Sequence, residues 1–371
     1  MPRSMPRSLL PAALIVALAG ACASGTSDDV KANGLDTLVE RFFAACKAHY
    51  GRAREAGRMA VRGEDGFLFL SHELRHLSVG PFWGEHAEET GRAEQADQRD
   101  PLPAIVNYHE QLSERGIELV FVPVPPKAVV YPDKLGPELA GAVTDLTGDD
   151  GAIPRLDPHH QAFYDRLREA GVPVIDLTDA FLKARQEGGD DDHPLYCRQD
   201  SHWSGRGLEI AADAIAARIG RPDWLPDAQE AFTTDARRVR IRGDLYRELE
   251  DEGIDLEREQ LELTAINDGE QPITDRESPI VLLGDSHLLV FHIGGDMHAT
   301  GSGLGDHMAH RLGVPLDVVG VRGSGATASR MTLLRRRDDL EGKKMIIWCL
   351  SARELTEASA WAELPAALPP R

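Results

Sequence analysis

Apolar positions along the chain follow two different periods. Between residues 35 and 50, Leu38, Phe42, Phe43 and Cys46 recur at helical spacing and predict one amphipathic helix. Farther on, short runs are apolar at nearly every position: 117–126 (IELVFVPVPP), 171–178 (GVPVIDLT), 279–286 (PIVLLGDS), 314–321 (VPLDVVGV) and 343–351 (KKMIIWCLS). Such runs fit strands covered on both faces of a parallel sheet. Helix-like stretches at 101–115 and 159–169 precede the first two, and GRGLEIAADAIAARIG (205–220) is a clear helix. Five strands alternating with helices predict an α/β fold, a three-layer sandwich around a mostly parallel central sheet. The rhythm breaks between about 226 and 277, where charged sequence with short extended pieces reads as an excursion inserted into the same domain. Residues 84–100 and 183–193 are charge-rich, aromatic-free and read as solvated loops.

The first 22 residues stand apart from this pattern. Arg3 and Arg7 precede an apolar stretch from Leu9 to Ala19, followed by Ala19-Gly20-Ala21-Cys22. That is the layout of a secretory signal, too short for a comfortable membrane span. Two processing outcomes remain open: lipidation of Cys22, although Ala19 stands where a lipobox usually has Leu, or cleavage after Ala21 or Ala23. Both predict export to the periplasm, with or without an anchor at Cys22. Residues 23–35 are small and polar and read as a tether, 36–360 as the folded domain, and 361–371 as a tail.

Composition narrows the function. The chain has 371 residues, 42% hydrophobic and 27% charged, ample for a core. Its 41 Lys and Arg against 61 Asp and Glu leave a net charge of −20. So acidic a surface repels phosphate backbones and argues against a nucleic-acid partner. Cys46, Cys197 and Cys349 permit one disulfide plus a thiol or three thiols, and no C-x-x-C occurs.

The sharpest chemical signal is Gly284-Asp285-Ser286 at the end of a buried strand. Ser286 there lies where open α/β sheets form their binding crevice, at a helix start whose free N–H groups favour an oxyanion. A capping role for Asp285 or Ser286 is the plainer alternative. A serine nucleophile needs a base, and the base an orienting acid. Asp200-Ser201-His202 supplies both, because alternate residues of an extended loop point the same way. Asp296-Met297-His298 repeats the D-x-H pattern only 12 residues after Ser286. That spacing places it on or past the helix leading away from the crevice. Asp306, His307 and His310 are further candidates, but no spacing of carboxylates and histidines suggests a metal.

These residues resemble the alginate O-acetyltransferase AlgX/AlgJ family, a branch of the SGNH-hydrolase superfamily in which the Asp and His precede the serine. Gly63-Glu64-Asp65-Gly66-Phe67-Leu68-Phe69 is similar to the family's aromatic G-x-D-G motif. VPVPPKAVVYPDKL (122–135), RIRGDLYREL (240–249) and IIWCLSARELTE (346–357) resemble its further segments, in order over about 60–357. The resemblance implies an exported O-acetyltransferase with Ser286 as nucleophile, His202 as base and Asp200 as its partner. It implies oxyanion donors among the Ser286 N–H and Gly323-Ser324-Gly325, contacts to sugar from Arg322 and Arg353, and no metal or organic cofactor. It also implies a polysaccharide acceptor and a membrane-bound O-acyltransferase that supplies acetyl groups. Lys127 and Tyr131 are family-like, while His287 stands where an aromatic is common. The net charge leaves the polymer open, and an acetylesterase or a non-catalytic carbohydrate-binding scaffold is the rival reading.

Overall fold

A computed structural model describes residues 27–147, 152–188, 192–228, 232–251, 253 and 256–368. The signal segment with Cys22, and the tether's first residues, lie outside them.

Among the described residues, eight strands occur in three sheets. β1 (Ala60–Arg62) and β2 (Leu68–Leu70) form a small antiparallel hairpin. The central sheet has the order β3-β8-β6-β7, all parallel, built from β3 (Glu118–Val124), β6 (Ile280–Gly284), β7 (Asp317–Gly320) and β8 (Met345–Ser351). β4 (Thr234–Ile241) and β5 (Glu259–Ile266) pair antiparallel in the inserted segment.

The sheet is buried on both sides, and the two-residue period of its strands divides the core in two. Val120, Val122, Ile347, Cys349 and Leu282 face one layer, with Phe42 and the Gly205–Ile219 and Leu304–Leu312 helices. Leu119, Phe121, Ile346, Trp348 and Leu283 face the other, with the Pro101–Glu114 and Pro158–Glu169 helices. This is the three-layer arrangement that continuous apolar runs require.

Four differences from expectation have local causes. The run at 171–178 is not a fifth ladder strand; it touches β3 only through a parallel bridge between Phe121 and Val174. Pro173 has no N–H to donate, and Asp176 already accepts from Thr178 N at 3.0 Å to start the Thr178–Gln186 helix. The tether is helical from Ser27, within Ser27–Glu55. Gly34, the weakest helix former there, serves close packing, since a Cβ at that position would lie 3.1 Å from Leu146. The tail is packed, with Trp361 buried against Trp348 at 5.8 Å between ring centroids. Finally, Ser286 opens a single 3₁₀ turn, Ser286–Leu288, rather than a helix. Positive φ at Phe291, Gly294, Gly295 and His298 then turns the chain back toward the sheet.

Cys46, Cys197 and Cys349 are buried free thiols. Among the described residues, no helix is long and apolar enough to cross a membrane.

Candidate active site

At the C-terminal end of β6, Asp285 caps the 3₁₀ turn by accepting from His287 N at 2.9 Å, which holds Ser286 at the turn's first position. Gly284 permits this bend, because a Cβ there would lie 1.7 Å from the Cys349 carbonyl oxygen. Ser286 Oγ is 2.7 Å from His202 Nε2, and His202 Nδ1 is 2.6 Å from Asp200 Oδ1. An ionised carboxylate only accepts, so Nδ1 carries the proton and Nε2 is free to accept from the serine hydroxyl. The three side chains are nearly enclosed but border a cavity of about 260 Å³ that opens to the surface. Arg247, Asp296, His298, Arg322, Gly323 and Arg353 also line it.

The loop carrying Asp200 and His202 is held from every side. The Lys127 ammonium donates to the carbonyls of Leu68, Cys197, Arg198 and Asp200 at 2.6–3.1 Å. The Glu259 carboxylate accepts from the N–H groups of Arg198 and Gln199 at 2.7 and 3.0 Å. Gly243 lies against the Gln199 carbonyl, where a Cβ would come within 1.9 Å of the oxygen. That approach lets Asp244 N donate to Asp200 Oδ2 at 2.8 Å while the Asp244 carboxylate accepts from Ser201 N at 2.8 Å. A buried charge without such partners would be strongly destabilising; here both charges flanking the loop meet backbone groups of opposite polarity.

Burial works against an ionised Asp200, yet the His202 and His298 imidazoles facing it hold its pKa well below the usual carboxylate range. Asp244 moves the other way, raised by burial and by the neighbouring Asp200 charge. Two carboxylates this close separate in this manner. At His202 burial disfavours the imidazolium, but Asp200, Asp244 and Asp285 together raise its pKa. Atoms of Asp200, His202 and Asp244 come within 4.8 Å of one another, as metal ligands would. Their carboxylate oxygens, however, already accept from N–H and O–H groups of the loop and its neighbours, so a metal would have to break the serine-histidine-aspartate chain.

A sequence profile for the SGNH hydrolase-like domain of the acetyltransferase AlgX matches residues 60–351, a span that contains all three of these residues. The chain belongs to this family. Probable alginate O-acetylases AlgJ of Pseudomonas aeruginosa and Pseudomonas putida are 28% and 30% identical to it over 186 residues each. Those alignments cover 50% of this chain but only 39% and 40% of the relatives' length. Among solved structures, the O-acetyltransferase domain of Pseudomonas putida AlgJ superposes with a TM-score of 0.56 at 21% identity, covering 80% of this chain and 92% of that one. Pseudomonas aeruginosa AlgX gives 0.54 at 18%, covering 81% and 65%. The shared architecture is the SGNH-like α/β domain.

The family segments named from the sequence converge on this site. The Gly63–Phe69 motif forms the β1–β2 turn, and Leu68 N donates to the Arg198 carbonyl at 2.7 Å. Lys127 and the Gly243-Asp244 pair are the props described above. Gly323 and Arg353 line the cavity, Arg353 lying among Glu354, Asp285 and Glu73. Arg322 lines it from an exposed position, paired with Asp296 at 2.8 and 3.0 Å. Gly325 does not reach it: a Cβ there would sit 2.8 Å from Asp285 N, so this glycine serves close packing beneath the nucleophile turn. Asp306 is committed to His292 Nδ1 and Gly303 N at 2.8 and 2.9 Å, and neither it, His307 nor His310 lines the cavity.

Sequence reasoning placed His298 wrongly. With no helix after Ser286, the loop returns and brings His298 Nε2 to 2.9 Å from Asp200 Oδ2. The available signal was Gly294-Gly295 immediately before the second D-x-H, a pair that favours reversal over continuation. Glu259 had no signal, since it reaches the loop only through the β4–β5 pairing.

Proposed function

We propose that this chain is an exported polysaccharide O-acetyltransferase working through an acetyl-Ser286 intermediate. The observation that carries the proposal is the unbroken Ser286–His202–Asp200 hydrogen-bond chain at a surface-open cavity. Ser286 Oγ attacks the carbonyl carbon of an acetyl donor as its proton passes to His202 Nε2. The tetrahedral oxyanion is met by the Ser286 and Gly323 N–H groups, and collapse expels the donor's leaving group, which takes the proton from His202. A sugar hydroxyl then gives its proton to His202 and attacks the acetyl carbon. The Ser286 Oγ–C bond breaks, and Ser286 recovers its proton. Asp200 stabilises the imidazolium in both halves.

The acceptor is an acidic, alginate-like polysaccharide. Arg247, Arg322 and Arg353 balance Asp200, Asp244 and Asp296 around the cavity, and the AlgJ relatives bear the name of probable alginate O-acetylases. The donor is a membrane-bound O-acyltransferase partner, because acetyl-CoA is confined to the cytoplasm. The segment 1–22 supports export to the periplasm, with Cys22 as its anchor if lipidated.

The test is intact-protein mass after exposure to an activated acetyl ester. A single acetyl adduct is expected in wild type and none in Ser286→Ala, with release faster to acidic oligosaccharide than to water. Release to water alone would reassign the protein as an esterase. Absence of any Ser286-dependent adduct would overturn the triad.

A further inference from the structure

Asp200 is contacted by two histidines. Oδ1 accepts from His202 N at 3.0 Å and His202 Nδ1 at 2.6 Å. Oδ2 accepts from Asp244 N at 2.8 Å and His298 Nε2 at 2.9 Å. A carboxylate has about four acceptor positions, so all are filled. Because the carboxylate cannot donate, His298 carries its proton on Nε2. The loop that delivers this imidazole is unusual. His298 has φ +74°, a region that non-glycine residues seldom adopt and that persists where surrounding contacts impose it. Those contacts are present: Arg322 bonds the Asp296 carboxylate, Arg247 donates to the Asp296 carbonyl at 3.2 Å, and Phe291 N donates to the Met297 carbonyl at 2.8 Å. The Phe291 ring lies against the imidazole, centroids 5.8 Å apart, and the His298 side chain is only 7% exposed.

We propose that His298 is a positioning residue for the acetyl transfer: it pins Asp200 Oδ2 so that Oδ1 stays on His202 Nδ1 in both protonation states of His202. The proposal rests on the Ser286–His202–Asp200 reading above. Without His298, only the Asp244 N–H would restrain Oδ2, and the carboxylate would rotate about Cβ–Cγ. His202 would then lose its tautomer as well as its counter-charge. A loop residue distant in sequence thus makes the triad a four-residue chain. The charged and titratable groups bordering the same cavity are Asp200, Asp244, Arg247, Asp296, Arg322 and Arg353, together with His202.

The experiment follows the rate of Ser286 acetylation by p-nitrophenyl acetate across pH, with Tm measured alongside. In His298→Ala, the plateau rate is expected to fall roughly 10- to 100-fold, and the acid-limb midpoint to move down toward that of an unpaired histidine. His298→Gln, whose amide can donate in place of Nε2, should recover most of the rate and the midpoint. Wild-type rate and midpoint in His298→Ala would overturn the proposal. So would a change confined to KM, or a glutamine variant that folds but does no better than alanine. If the alanine variant does not fold, His298→Gly, which relieves the positive φ, takes its place with the same expected losses. Ser286→Ala run in parallel separates the two claims: an adduct that persists there overturns the triad itself, whereas its loss alongside an unaffected His298→Ala overturns only the role of His298.

Discussion

The tripeptide Asp-Ser-His occurs twice in this site, at 200–202 and 285–287, with nearly the same local geometry. In each, the aspartate Oδ1 accepts from the backbone N–H of the histidine, at 3.0 and 2.9 Å, and lies near its Nδ1, at 2.6 and 3.0 Å. The two imidazoles are 4.8 Å apart. Yet the chemistry divides between them. From the first tripeptide the histidine turns Nε2 to Ser286 Oγ, as the proposed base, while Ser201 Oγ is tied to the Asp244 carboxylate. From the second the serine faces that base, while the aspartate is spent on the backbone, its Oδ2 accepting from Ser351 N at 2.8 Å. Trp203 lies edge-on to His287 and donates to its carbonyl at 3.1 Å. The electrostatics divide as well. His202 is raised by its carboxylates, whereas burial, reinforced by the His202 and Arg353 charges, outweighs Asp285 and lowers His287. One motif thus yields an imidazole that binds a proton more readily and a neighbour that resists one, which disfavours two adjacent imidazolium ions. The tripeptide itself supplies only a local turn, and the surroundings decide which of its side chains reacts.

That comparison is most severely tested at the serines. Ser286→Ala should abolish the acetyl adduct, while Ser201→Ala, losing one buried hydrogen bond to a charge, should cost about 1–3 kcal/mol of stability and leave turnover within roughly tenfold. Equal losses of adduct in both would break it. The aspartates come next. Asp200→Asn should lower the acylation rate by about 10³- to 10⁴-fold, because the wrong tautomer is then favoured. Asp285→Asn should instead lower stability by about 2–4 kcal/mol, read by chemical denaturation, since its amide would meet the Ser351 N–H donor to donor.

A smaller effect concerns pH. His202 must be neutral to accept the serine proton, so its raised pKa places the acid limb of the acylation profile above the ordinary histidine value of about 6.5. Asp244→Asn removes one of the raising charges, and the midpoint should move down by less than about one pH unit. The smallest effect is in stability. His287, lowered in the folded state, binds fewer protons there than when unfolded, so its contribution weakens stability as pH falls through about 6.5. His202, raised in the folded state, contributes stability that is full below that value and is lost as pH rises through its folded pKa. His287→Gln should therefore flatten the acid side of a denaturation series and His202→Gln the neutral side.

What could be read from the chain alone was what depends on neighbours in sequence. Continuous apolar runs marked three of the four central strands at nearly full length, and the fourth, β7, within 314–321. Gly284-Asp285-Ser286 and Asp200-Ser201-His202 named three side chains that the fold brings into one hydrogen-bond chain, because a tight turn and a D-x-H ring are local structures. The failures share the opposite property. GVPVIDLT has a strand's composition, but Pro173 and the nearby helix start limit it to a single bridge. Residues 361–371 read as a tail, yet Trp361 packs against the sheet's Trp348. His298 lies 98 positions from Asp200 and Glu259 lies 60 and 61 from the N–H groups it accepts from. Their roles depend on where a glycine-rich reversal and an antiparallel insertion set them down. Periodicity reports which face of an element is buried. It carries no information on which distant side chain arrives there, because that is settled by the packing of the whole chain.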